Sequence, residues 1–161
     1  KFGLQLHEQK TRLIEFGRFA EINRQRRGEG RPETFNFLGF THYCGRTRAG
    51  RFMVQRKTQR QRMIAKLKTL RQEMKRRRHR PVREQQQWLT AVLRGHYAYY
   101  GITGNSRSLG RFKEQVQRAW HWVLRHRGQR SRLPWDRFNR LLGVYPLPRP
   151  RIVHVWRYQT A

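Results

Sequence analysis

From Gln59 to Leu142 the apolar residues recur at intervals of three and four, a spacing that buries them on one side only if the chain is helical. Met63, Ile64, Leu67, Leu70 and Met74 form the first stripe, interleaved with Lys and Arg and closed by the run Lys75-Arg76-Arg77-Arg78-His79-Arg80. Pro81 lacks a backbone donor, so it ends that helix and suits the start of the next. Trp88, Leu89, Val92, Leu93, Tyr97 and Tyr100 mark the second helix, which stops at Gly101. Asn105 or Ser106 caps a third, whose Leu109, Phe112, Val116, Ala119, Trp120, Val123 and Leu124 share a face ahead of Gly128. A short fourth opens at Pro134 and carries Trp135, Phe138, Leu141 and Leu142. Prolines at 146, 148 and 150 then demand an extended tail.

Ahead of Gln59 the period is two rather than three or four. Lys1 to Leu6 alternates as a short strand, and the cluster Leu13, Ile14, Phe16 and Phe19 reads as another, leading into a polar loop from Asn23 to Glu33. Thr34 to Phe40 alternates apolar residues, Gly45 to Gly50 breaks the pattern, and Arg51 to Gln55 resumes it, which predicts a β-hairpin with a mobile basic tip. The expected fold class is α+β, with short strands and a hairpin followed by a mainly helical bundle. No internal repeat is visible. The sequence enters in mid-pattern at Lys1, so the expectation is a fragment of a longer chain.

Charge separates the same two regions. The chain carries 38 Lys+Arg against 9 Asp+Glu, a formal +29. Residues 1–40 hold 8 basic and 5 acidic side chains, whereas residues 41–161 hold 30 and 4. So much like charge repels itself unless a polyanion neutralises it, which points to nucleic acid and, less strongly, to acidic lipid. Of the cations 31 are Arg and 7 are Lys, favouring planar recognition of phosphates and stacking on bases. Five Trp, six Tyr and nine Phe supply a core that a disordered basic tail lacks. The single cysteine, Cys44, excludes an internal disulfide, and no apolar run approaches the roughly 20 residues that span a bilayer. A soluble protein of a reducing compartment, cytoplasmic or organellar, and no membrane partner are expected.

The acidic residues bear on catalysis by their scarcity. Metal-assisted phosphoryl transfer needs close carboxylate ligands, yet the only aspartate, Asp136, falls in the first turn of the fourth helix, where an acid suits the helix dipole. His42 and Cys44 share a strand face but lack a second ligand pair. No metal site, no cofactor and no autonomous nuclease or polymerase activity is expected. Binding has better candidates. From Arg56 to Arg83 there are 13 basic residues and 1 acidic, and Arg76, Arg77, Arg78 and Arg80 form its densest part, read as a phosphate-binding face rather than a merely solvated helix end. Leu93 to Gly101 places Arg94, His96 and Tyr100 beside further tyrosines, too many for one helix face, so part of them pack and part face outward to stack on bases or cover a neighbouring helix. Arg127, Gln129 and Arg130, around the break at Gly128, form a helix-end clamp for phosphate or base.

Taken in order, these segments resemble a known family. Leu4-x-Leu6, Gln9-Lys10-Thr11-Arg12-Leu13-Ile14-x-Phe16-Gly17-Arg18 and Thr34-Phe35-x-Phe37-Leu38-Gly39-Phe40 are similar to the last two blocks of the palm of group II intron reverse transcriptases. Leu93-Arg94-Gly95-His96-x-x-Tyr99-Tyr100-Gly101, Asn105, Trp120 and Arg127-x-Gln129-Arg130 resemble the maturase-specific domain that serves as the thumb. The resemblance implies a palm edge over residues 1–57, a helical thumb over 58–145 and an extended tail over 146–161. It implies that Lys10 lies near an incoming triphosphate and that Phe37, Leu38, Gly39 and Phe40 form a primer-grip turn. The partners would be intron RNA and an RNA-bearing template-primer duplex. The parent enzyme would use Mg2+ on an Asp pair upstream of this chain, leaving the fragment inactive alone. The alternatives are a basic structural ribonucleoprotein component with no enzyme parent and a DNA binder.

Overall fold

The protein, as a computed structural model, is α+β, and residues 11–47, 49–128 and 132–155 are described. Among them a three-stranded antiparallel sheet lies within a helix-dominated chain of five helices, and the chain divides between Arg56 and Lys57 into two units.

The first unit contains α1 (Ala20–Arg26), β1 (Phe35–Phe37), β2 (Phe40–Arg46) and most of β3 (Phe52–Thr58). The strands run in the order β1-β2-β3, with Phe35 opposite His42 and Phe37 opposite Phe40. A two-residue turn joins β1 to β2, and both of its residues have positive φ, Leu38 at 47° and Gly39 at 79°. Such a turn follows the twist of a hairpin, but leucine seldom adopts that conformation. The expected single hairpin is therefore a meander with one more reversal. The interruption at Gly39 is a turn, and residues 40–46 are a strand of their own. The second connection is closed by the Thr47 N–H donating to the Arg51 carbonyl at 2.8 Å.

The strand expected from Leu13 to Phe19 does not form. Leu13 is 99% exposed, residues 11–16 have no regular structure, and the chain turns at Gly17 into α1, which runs on into the start of the region read as a polar loop. This helix is seven residues long with one buried residue, Ala20, so it has no apolar stripe to reveal it. Glu21 in its first turn and Arg24 and Arg26 in its last complement the helix dipole. The strand expected at residues 1–6 lies outside the described residues.

The second unit contains α2 (Arg60–Arg76), α3 (Val82–Tyr100), α4 (Ser106–Arg125) and α5 (Trp135–Val144). Pro81, Asn105 and Pro134 precede α3, α4 and α5, and Gly101 follows α3, where the sequence punctuation placed them. α4 is the centre of the core: Leu109, Phe112, Val116, Trp120 and Val123 are all buried to within 1%. Against them pack Leu67, Leu70 and Met74 of α2, Leu89, Leu93 and Tyr97 of α3, and Phe138 of α5.

Two buried amides fasten the helix junctions. Gln85 donates to the carbonyls of Arg78 at 3.1 Å and Arg80 at 2.8 Å, while its own carbonyl accepts the Trp120 indole N–H at 2.9 Å. Asn105 accepts the Thr58 N–H and donates to Thr58 Oγ1 and the Tyr100 carbonyl, each at 2.9 Å. Its side chain thus ties two segments together and makes no cap on α4. The extended stretch after α5 lies against the bundle: Leu147 is buried, Tyr97 Oη donates to the Pro148 carbonyl, and the N–H groups of Val153 and His154 both reach the Gly101 carbonyl. A side chain at Gly101 would bring its Cβ within 2.3 Å of the Tyr97 carbonyl and 2.8 Å of that of Arg151.

Candidate nucleic-acid interface

α2 is the candidate interface because much of its surface is left to water. Leu67, Leu70 and Met74 take the buried side, and seven Lys or Arg against the single Glu73 occupy its other faces. Arg62, Lys66 and Thr69 line a groove toward α3; Arg71 and Lys75 line another toward α4. Spacings of three and four repeat each pair on one flank.

The groove between α2 and α3 encloses about 580 Å³. Arg62 and Lys66 stand on one wall, and His96, Tyr99 and Tyr100 on the other. Tyr99 is 53% exposed and meets Tyr100 edge to face, ring centroids 4.8 Å apart. His96 is only 6% exposed and stacks on Phe112 at 3.7 Å. Burial, with a smaller push from the Lys66 ammonium, lowers its pKa to about 4, so near pH 7 it is a neutral ring. Its Nε2 is buried and has no hydrogen-bond partner among the described residues.

The groove between α2 and α4 encloses about 430 Å³. Here Trp122, 45% exposed, lies under the Lys75 ammonium at 5.2 Å and stacks on His126 at 4.3 Å. Arg71 donates to Gln115 across the groove at 3.4 Å. Cations beside exposed aromatic rings suit the two chemical parts of a nucleotide, phosphate and base.

At the end of α2 the arginines differ in their surroundings. Arg76 is paired with Glu73 at 2.7 Å, and Arg77 lies over the Trp88 ring at 4.9 Å. Arg78 is half-buried, its Nε without a partner among the described residues. Arg80 is exposed, and its carbonyl accepts Arg127 Nη2 at 2.8 Å. Arg127 therefore joins the Arg76–Arg80 cluster. Arg94 is exposed but lies two residues from His96, about 200° around α3, and so away from the groove. Phe37 and Leu38 are exposed at the β1–β2 turn in the first unit. Lys10, Gln129 and Arg130 lie outside the described residues.

Sequence reasoning singled out His96 and Tyr100 but not Arg62, Lys66, Tyr99 or Trp122 as individual contacts. The cations repeat at i and i+4, a signal that was present, but which aromatic faces them depends on how helices pair. Among the described residues no group of three or more His, Cys, Asp or Glu is gathered for a metal ion. Among them, too, no helix is long and apolar enough to cross a membrane. No protein-family model, curated protein or solved structure matches this chain.

Proposed function

We propose that this chain binds RNA, as the thumb-bearing part of a group II intron reverse transcriptase and maturase, and that it assists splicing and mobility by holding intron RNA and template-primer. The observation that carries the RNA reading is α2: a basic helix with a cation-and-aromatic groove on each flank. Phosphates neutralise the cations, and bases find aromatic faces beside them. Parentage rests on the order of the motifs, from the Phe37-Leu38-Gly39-Phe40 turn to the Leu93–Gly101 segment.

Two measurements separate the parts of this reading. Competition between a structured RNA and a duplex DNA of equal length, at matched salt, is expected to favour the RNA. Equal competition removes the RNA assignment and leaves a general polyanion binder. The coding region upstream of Lys1 is expected to encode, in frame, an Asp pair on a hairpin. A start codon near Lys1 would leave a basic ribonucleoprotein component in place of a polymerase fragment.

A further inference from the structure

Gly95 is the most informative residue of the α2–α3 groove. It stands in the interior of α3, where glycine is less favourable than alanine. Packing does not require it, since a Cβ built there would meet nothing within 4 Å beyond its chain neighbours and its own helix backbone. Ala65, from the opposite helix, lines the same space. Small residues on both walls thus keep a slot open between the cations and the tyrosines.

The slot has two chemical zones. Arg62 and Lys66 supply positive charge along one wall, and the exposed Tyr99 ring supplies a flat face on the other. On that same wall lies the neutral His96 ring with its unpartnered Nε2, a buried polar group that stays unsatisfied until some partner reaches it. A single charged group such as inorganic phosphate would use only the first zone. A bilayer surface, being broad, would not enter the slot. The paired bases of a duplex have their faces covered by their neighbours. An unpaired base with its own phosphate uses both zones.

We propose that the α2–α3 groove is a pocket for one unpaired nucleobase of a single-stranded or looped RNA, stacked on Tyr99 with its phosphate on Arg62 and Lys66. This deepens the RNA-binding reading and rests on it. Because a phosphate on the cations and a ring on Tyr99 require no particular base edge, the pocket accepts a base by shape more than by sequence.

The test uses the full chain, a short single-stranded oligouridine RNA with one 4-thiouridine, and a perfectly paired RNA duplex as reference. Gly95→Leu fills the slot while favouring the helix, and Tyr99→Ala removes the stacking face at an exposed position. Each is expected to weaken binding of the single strand about tenfold or more, the order of one lost base stack, and to leave duplex binding within about twofold. Tyr99→Trp is expected to restore the affinity, and the thiouridine crosslink is expected at Tyr99, Tyr100 or His96. If both variants fold and bind the single strand as the unaltered chain does, or if the crosslink maps elsewhere, the pocket is refuted while RNA binding stands. If the unaltered chain binds neither RNA, both readings fall together. Circular dichroism of each variant separates lost binding from lost folding.

Discussion

The indole N–H of Trp120 donates to the side-chain carbonyl of Gln85 at 2.9 Å, joining α4 to the start of α3 in the middle of the core. Through the other end of the same amide, α3 holds the carbonyls of Arg78 and Arg80, where the basic helix ends. The position of the arginine cluster is thus coupled to the packing of the bundle.

Gln85→Leu keeps the volume but strands the indole N–H and the Arg78 carbonyl, while the Arg80 carbonyl keeps its Arg127 partner. Each buried polar group left without a partner costs about 1–3 kcal/mol, although the carbonyl regains some water, so a loss of about 2–4 kcal/mol is expected in urea unfolding. A loss under about 0.5 kcal/mol would show that the amide does not fasten this junction.

Two glycines of one segment should respond with opposite sign. Gly101→Ala forces a Cβ against the Tyr97 and Arg151 carbonyls, so the melting temperature is expected to fall and residues 146–154 to become accessible to protease. Gly95→Ala meets open space inside a helix and is expected to stabilise by about 1 kcal/mol. Thermal melts of the two variants side by side check both, and equal shifts would contradict the packing described.

His96 gives stability a pH dependence. Its pKa falls from 6.5 to about 4 on folding, chiefly through burial, so the unfolded chain binds the proton more readily. The contribution is complete above pH 6.5, declines as pH falls, and is lost by about pH 4, with a total on the order of 3 kcal/mol. His96→Phe is expected to flatten unfolding free energy over this window. An unchanged profile would place the titration in another group.

At the end of α2, Arg76→Gln with Arg80→Gln alters two exposed side chains, and each should change stability by no more than about 0.5 kcal/mol. RNA affinity is expected to fall severalfold with no change in melting temperature. Extending the change to Arg77 and Arg78 also removes the guanidinium over Trp88 and a half-buried side chain, so that larger variant is expected to melt earlier.

The helical half of the fold was legible because its boundaries are chemical: Pro81, Gly101 and Pro134 cannot continue a helix as other residues do, and the stripe from Leu109 to Leu124 is wide. The first unit was harder to read. α1 buries one residue and leaves no periodic trace, and the Leu38-Gly39 turn lacks the asparagine or aspartate that normally announces two positive φ angles. The amide of Asn105 was readable as a helix start but not as the partner of Thr58, 47 residues away. The groove needed the same long-range information, since Arg62 and Tyr99 belong to different helices, and a sequence shows each helix's faces without showing which neighbour they meet.

The salt dependence of RNA binding tests the central claim most directly. Each phosphate contact adds about 0.7–0.9 to the log-log slope, so six or more contacts along α2 and its end imply a slope steeper than about −4. Filter-binding titrations across a range of potassium chloride are expected to give that slope, reduced in magnitude when Arg62 and Lys66 are replaced by Gln. A slope shallower than about −2, or one unchanged in the double variant, would contradict the assignment of α2 as the phosphate-binding face.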